Sequence, residues 1–141
     1  MSIAHELAWC AGFFDGEGFV TIQRRNTKIN GKEYKGHYLR IGVNHVAPEP
    51  LKELQRKLGG TIRFSESKDP KRHSRYSWQM STQAAANALI KMMPYLKNKN
   101  KVAALGIEFQ KSIVGKSKIT DEIMTYREAI KLEIASLNAK D

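Results

Sequence analysis

The stretch that decides the fold is Trp9-Cys10-Ala11-Gly12-Phe13-Phe14-Asp15-Gly16-Glu17-Gly18. It continues an amphipathic helix, because apolar residues recur at helical spacing from Leu7 to Phe14. Two of its features weaken that helix. A glycine in the middle of a helix, here Gly12, costs about 1 kcal/mol relative to alanine. The carboxylates of Asp15 and Glu17 stand at the C-terminal end, where the helix dipole disfavours each by about 0.3–1 kcal/mol. Such conflicts indicate that these residues serve packing or chemistry.

The small residues of this helix have a packing explanation. Ala8, Gly12 and Gly16 recur every fourth position, so they line one helix face and let a second backbone approach closely. If two copies of the helix pack there, the residues that we predict at the dimer interface are Ala8, Ala11, Gly12 and Asp15. For Asp15 the alternatives are a chemical role for its carboxylate, a helix cap, or a hydrogen bond at the interface.

The carboxylate of Glu17 has a chemical explanation. Hard oxygen ligands at a helix end, followed by a glycine and a strand, can hold a divalent cation that cancels their charge. Phosphodiester hydrolysis uses such ions to polarise the phosphate and to generate hydroxide. One acid in each chain suffices for this if two chains meet at the site. The plainer alternative is a solvated acid at a helix end.

The remaining sequence predicts an α+β fold with two strand–strand–helix segments, residues 18–59 and 60–94. Alternating apolar residues predict strands at 19–25 and 38–44, joined by a polar turn region at 26–36. A second hairpin is predicted at 61–65 and 75–81, and further helices follow. Two hairpins make a four-stranded antiparallel sheet with helices on one face. The side chains that we expect to be buried in the second hairpin are Ile62, Phe64, Tyr76, Trp78 and Met80.

The opposite face of this sheet is predicted to lack apolar residues and to be rich in groups that bond to the edges of DNA bases. Arginine pairs with guanine, and glutamine or asparagine pairs with adenine. A plain solvated polar face is the alternative. The residues that we expect to contact DNA from this face are Thr21, Gln23, Arg25, Tyr38, Arg40, Asn44, Arg63, Ser65, Arg75, Ser77 and Gln79.

The charge of the chain also indicates a polyanionic partner. The net charge is +10 over 141 residues. Residues 18–101 hold 18 lysines and arginines against 5 acids, which is the pattern of a nucleic-acid-binding protein. The single cysteine excludes an intramolecular disulfide. With no apolar run long enough to span a membrane and no targeting signal, we expect an intracellular protein, in the cytoplasm or nucleoid, or inside an organelle that encodes it. We expect neither a membrane partner nor a small-molecule substrate.

The segment from Cys10 to Gly18 resembles the nine-residue motif of the LAGLIDADG homing endonucleases, with variants at Cys10, Phe13, Phe14, Gly16 and Glu17. The resemblance covers about residues 3–115. It implies an αββαββα fold with a saddle-like antiparallel sheet. Residues 1–141 would then form a single domain, with an additional C-terminal helix at about 119–138.

The resemblance also implies roles for individual residues. In similar enzymes the second acid of the motif and the preceding carbonyl bind Mg²⁺ or another divalent cation such as Mn²⁺, which here means Glu17 and Gly16. The pattern Pro94-Tyr95-Leu96-Lys97-Asn98-Lys99 puts Lys99 where the family has a catalytic lysine, with Lys97 nearby to contact DNA. The family usually has a glutamine near the water network, where this chain has His45 beside Asn44. His45 either organises water or is an exposed histidine at a strand end.

These implications lead to a homodimeric, Mg²⁺-dependent, site-specific endonuclease for double-stranded DNA, of the homing, intron-associated type. The resemblance implies a long, nearly palindromic site that is cut on both strands across the minor groove, with 3′ overhangs. One alternative is a nuclease that has lost cleavage and serves as a nucleic-acid binder, such as an intron maturase or a transcription regulator. Another is a basic interaction module without a nucleic-acid role.

Overall fold

A four-stranded antiparallel sheet with helices on one face forms the frame of the protein, as the sequence predicts. The computed structural model describes residues 2–72, 74–113 and 120–139. Its elements, in chain order, are α1 (Ile3–Glu17), β1 (Gly18–Ile29), β2 (Lys32–His45), α2 (Glu49–Leu58), β3 (Thr61–Ser65), β4 (Arg75–Ser81), α3 (Thr82–Met92), α4 (Asn100–Lys111) and α5 (Asp121–Ala139). None of the helices in the described residues combines the length and the hydrophobicity of a membrane span.

The strand order is β1-β2-β4-β3, with every neighbouring pair antiparallel. The β1–β2 hairpin is longer than predicted. A polar turn region at 26–36 was expected, but the ladder continues to the pair Ile29–Lys32. The turn needs only Asn30 and Gly31, whose φ angles are 52° and 81°. Two consecutive positive φ angles are typical of the tight turn that Asn-Gly favours, so the polar residues around it remain free to pair as strands.

The core lies between the sheet and the helices. The inward residues of the two long strands are buried, as their alternation predicts: Val20, Ile22, Leu39, Ile41 and Val43. Trp78 of β4 is fully buried, and its indole N–H donates to the carbonyl of Gly59 at 2.8 Å. Phe14 of α1 and Leu89 of α3 are also fully buried. The sheet and the helices thus share one continuous core.

The prediction that Phe64 is buried is wrong. Its side chain is 55% exposed, although it lies on the inner face of β3. β3 is an edge strand, so Phe64 has a strand neighbour on one side only. Its ring packs against Tyr76, with the ring centroids 4.9 Å apart. Ile62 and Tyr76 are accordingly half-buried, whereas Trp78 and Met80 are buried.

The helix α5 is attached to β1 and β2 by a charged cluster on the inner face. The sequence predicts this helix at about 119–138; residue 119 lies outside the described residues, and the helix ends at Ala139. Glu128 of α5 pairs with Arg24 of β1, and its second oxygen lies 2.8 Å from Nε2 of His37 on β2. Arg24 and then His37 lower the pKa of the Glu128 carboxyl from 4.5 to about 2. Asn138 adds a hydrogen bond to the carbonyl of Val20 at 3.1 Å.

Candidate active site and sheet surface

Glu17 is the last residue of α1, and the strand β1 begins directly after it. The transition from helix to strand depends on Gly18. A Cβ atom there would lie 2.4 Å from Cδ2 of Phe14, and the Gly18 N–H donates to the Phe14 carbonyl. Because no loop intervenes, the backbone on both sides fixes the position of Glu17. Its side chain is exposed to solvent.

The carboxylate of Asp15 binds the segment that precedes α4. It accepts hydrogen bonds from the backbone N–H groups of Lys97 at 2.7 Å, Asn98 at 3.2 Å and Lys99 at 2.9 Å. The Lys99 ammonium donates to the Asp15 carbonyl at 2.8 Å. The Asp15 carboxylate is therefore bonded within its own chain, to residues that precede α4 rather than to the first N–H groups of that helix. These bonds also bring Lys99 to the helix end that carries Glu17.

The oxygen atoms at this helix end are metal ligands of the type that Mg²⁺ prefers. The carboxylate of Glu17 and the carbonyl of Gly16 are hard oxygen ligands at a helix C-terminus, where the partial charge is negative. In the described part of the chain, no three His, Cys, Asp or Glu side chains form a group that could hold a metal ion. The oxygens present fit a Mg²⁺ ion only if ligands from outside this chain complete the octahedral shell.

His45 ends β2 and packs against α1. Its ring packs against Phe13 at an interplanar angle of 57°, with the ring centroids 5.6 Å apart, and Phe13 stacks on Trp9 at 5.4 Å. The N–H of Ala47 donates to Nδ1 of His45 at 3.0 Å. Nδ1 also lies 3.1 Å from the carbonyl oxygen of Ala47, so Ala47 occupies this ring nitrogen in either tautomer. Only Nε2 is left to bond to water.

The exposed face of α1 is not covered by other parts of the described chain where its glycines lie. A Cβ atom added to Gly12 or Gly16 would meet nothing within 4 Å in this chain. Ala8 is half-buried. The prediction that Ala11 contributes to an interface is not supported, because its side chain is fully buried in the core of its own chain. Ala11 follows Cys10 on the inner side of the helix, while Gly12 begins the outer side.

The strand register brings the predicted sheet residues onto one outer face. Cross-strand partners there include Thr21 with Arg40, Gln23 with Tyr38, and Arg63 with Ser77. The Tyr38 hydroxyl donates to Gln23 at 2.6 Å, and the Arg25 guanidinium lies 4.5 Å from the centroid of the Tyr38 ring. Lys97 lies apart from this face, in the segment bound by Asp15. The face members on the strands are Thr21, Gln23, Arg25, Tyr38, Arg40, Asn44, Arg63, Ser65, Arg75, Ser77 and Gln79.

The prediction of an outer face without apolar residues is wrong at Phe19. Phe19 lies opposite Gly42, and the Arg40 guanidinium lies 5.4 Å from the centroid of its ring. Strict alternation from Thr21 already assigns Phe19 to this face, so its position could have been predicted from the sequence. What it did not reveal was that Gly42 makes room for the ring. The missing Cβ atom is the physical reason that an aromatic ring fits there.

Residues 10–113 of the chain match the family model described as LAGLIDADG endonuclease. The chain belongs to the LAGLIDADG endonuclease family. No curated protein sequence matches it significantly. In this LAGLIDADG chain the motif occupies the C-terminal half of α1, and the family match extends through α4.

The fold is similar to those of solved LAGLIDADG homing endonucleases. I-CvuI, in complex with the I-CreI target DNA, is similar with a TM-score of 0.78 and 19% identity, over 96% of this chain and 83% of that chain. The archaeal intron-encoded I-Vdi141I, complexed with DNA, gives a TM-score of 0.74 and 14% identity, over 94% and 84%. I-TnaI gives 0.62 and 19%, over 94% and 93%. At these identities the likeness establishes the fold.

Proposed function

We propose that this protein is a homodimeric, Mg²⁺-dependent endonuclease that cuts double-stranded DNA at a long, nearly palindromic site. The observation that carries the proposal is the position of Glu17. It is an exposed carboxylate at the end of a helix whose neighbouring face, at Gly12 and Gly16, is open in the single chain. A twofold axis along that face brings two Glu17 side chains together.

The dimer is supported by the two glycines themselves. Nothing in the described residues of one chain lies where their Cβ atoms would be, so packing within the chain gives no reason for glycine. Glycine in the helix costs about 1 kcal/mol at each position relative to alanine. Close approach of a second backbone explains both. A symmetric pair of chains also matches the symmetry of a nearly palindromic DNA site.

DNA as the substrate is supported by the outer face of the sheet. Four arginines there, Arg25, Arg40, Arg63 and Arg75, stand among amides and hydroxyls, and no acid lies among the face members named above. Arginine donates to guanine O6 and N7 and to phosphate, and the two-stranded β1–β2 ribbon suits the major groove. The relatives I-CvuI and I-Vdi141I are themselves solved in complex with DNA.

Four residues of this chain have separate roles in the proposed cleavage reaction. Glu17 and the Gly16 carbonyl would hold Mg²⁺, with oxygens of the partner chain and of DNA completing the shell. The ion supplies charge neutralisation at the phosphate and an activated water. Lys99 places an ammonium group beside the same helix end, where it stabilises negative charge that develops on the phosphate. Nε2 of His45, the ring nitrogen that Ala47 does not occupy, orients water at the margin of the site.

The test is cleavage of DNA that carries the uninterrupted insertion locus of the gene for this chain, with Mg²⁺, by the wild-type protein and Glu17→Gln. We expect double-strand cleavage by the wild type, and binding without cleavage by Glu17→Gln. The matched control is Glu133→Gln, because Glu133 is an exposed acid of α5. Binding without cleavage by the wild type would favour a nucleic-acid binder instead. Equal cleavage by all three proteins would remove Glu17 from the chemistry.

A further inference from the structure

We propose that Asp15, the first acid of the motif, is a positioning residue that acts through Lys99. The inference rests on the function proposed above and deepens it. Asp15 is separated from the lysine segment by more than eighty residues, yet four hydrogen bonds join the two. Both the side chain and the backbone of Asp15 take part.

The side chain of Asp15 fixes the backbone on which Lys99 is carried. Residues 97–99 form neither helix nor strand, so no ladder of hydrogen bonds holds them. Instead, one carboxylate oxygen accepts from Lys97 at 2.7 Å, and the other accepts from Asn98 at 3.2 Å and from Lys99 at 2.9 Å. Bonds from N–H groups to an ionised carboxylate are roughly twice as strong as neutral ones. The segment is therefore located by the charge of Asp15.

The backbone of Asp15 fixes the ammonium group. The Asp15 carbonyl accepts from Nζ of Lys99 at 2.8 Å, and the side chain of Lys99 is half-buried. This carbonyl belongs to the last turn of α1, where unpaired carbonyls give a negative partial charge that attracts a cation. Glu17 is two residues further along. One residue thus sets the position of the lysine relative to the metal-binding acid.

The role is distinct from that of an ordinary helix cap. Lys99 occupies the N-cap position of α4, and its side chain makes no capping hydrogen bond to that helix. Asp15 bonds to the N–H groups of the segment from a different helix, so the contact sets the relation between α1 and the start of α4. Displacement of a catalytic group by about 1 Å can cost roughly 100-fold in rate. The position of Lys99 is therefore as important as its charge.

The experiment compares Asp15→Asn, Lys99→Met and the double variant, with Asp121→Asn as the matched control. Asparagine keeps the size and one acceptor but loses the charge and the second acceptor. In single-turnover cleavage at saturating DNA, we expect Asp15→Asn to be roughly 10–100-fold slower than wild type, with a much smaller change in the Kd for DNA, since only Lys97 of the loosened segment is expected to contact DNA. Asp121 is an exposed acid in the first turn of α5, so its variant should cut at the wild-type rate.

The double variant separates positioning from structure. If Asp15 acts through Lys99, adding Asp15→Asn to Lys99→Met produces no further loss of rate, because the group that it positions is already gone. Amide hydrogen exchange of residues 96–101 should be faster in Asp15→Asn, while exchange in α5 stays as in wild type. This second measurement does not depend on metal or cleavage.

Each result decides something. Multiplicative losses in the double variant, a wild-type cleavage rate for Asp15→Asn, or unchanged exchange at 96–101 would overturn the positioning role while leaving the endonuclease in place. A wild-type protein that binds DNA but does not cut it would overturn the proposed function and the positioning role together. The two failures are therefore distinguishable in one series of measurements.

Discussion

The ring of Phe19 lies against Gly42 on the outer face of the sheet, where a Cβ atom on Gly42 would come within 2.7 Å of Cζ of Phe19. The same Cβ would lie 2.7 Å from the carbonyl oxygen of Trp78, which belongs to the backbone and cannot move aside. The pair joins the core and the proposed DNA surface, since Arg40 lies over the outer side of the ring. The absence of a Cβ atom at Gly42 thus affects both the core and the proposed DNA surface.

This contact predicts that Gly42→Ala destabilises the fold. Overpacking against backbone should lower the free energy of unfolding by about 1–3 kcal/mol. The control is Gly36→Ala on the same strand, where the nearest atom to an added Cβ is the Arg25 carbonyl oxygen at 4.0 Å. Chemical denaturation of both variants measures the difference. Equal stability of the two would show that the sheet adapts at Gly42.

The position of Arg40 predicts a loss of sequence discrimination in Arg40→Gln. Its guanidinium lies against the ring of Phe19, so on the proposed DNA surface its nitrogen donors would face a base edge from a fixed position. Loss of one good arginine–base contact should cost about 1–3 kcal/mol of specific binding and relax the preference at one base pair of each half-site. Binding to targets substituted one base pair at a time measures this. A uniform loss across all targets would assign Arg40 to phosphate instead.

The open face of α1 predicts that Gly12→Leu separates the proposed dimer without unfolding the chain. Nothing in the described part of one chain occupies the space that a side chain at Gly12 would enter. A second backbone in close approach would be displaced by it. Sedimentation at several protein concentrations should therefore show dimers for wild type and monomers for Gly12→Leu, with thermal unfolding retained. Wild-type dimerisation by the variant would mean that the chains meet elsewhere.

The cluster at α5 predicts a specific dependence of stability on pH. The folded-state pKa of Glu128 is lowered from 4.5 to about 2, chiefly by Arg24 and then by His37. A lowered carboxyl pKa stabilises the fold above about pH 4.5, and this contribution is lost as the pH falls from about 4.5 towards 2. The difference in unfolding free energy between wild type and Glu128→Gln should shrink across that window. A constant difference would contradict the ion pair.

The sequence predicts the local features of this fold well. Alternation identifies the inward residues of β1 and β2, and the glycine-rich motif identifies the helix end at Glu17. What it misses are contacts between distant segments. Nothing near Glu128 in the sequence indicates that it meets Arg24 and His37, because that contact depends on how α5 lies across the sheet.

The candidate site shows the same division. The motif by itself identifies Glu17 as a candidate site residue. Lys99 is identified only through the resemblance to the family. Whether Asp15 bonds within its own chain or across an interface depends on where the segment at 97–99 runs, which periodicity cannot supply. The error at Ala11 has a related cause, since one helical position separates the buried side of α1 from its open side.

The central claim is that two identical chains each supply one Glu17 to the cleavage of one DNA site. The most direct test co-expresses wild-type and Glu17→Gln chains in graded ratios and measures double-strand cleavage at saturating DNA, with wild-type and Glu133→Gln mixtures as control. If both chains must contribute, the cleavage rate falls as the square of the wild-type fraction, and the control mixtures cut at full rate. A rate that falls in direct proportion to the wild-type fraction, or less steeply, would show that one chain suffices and would contradict the account.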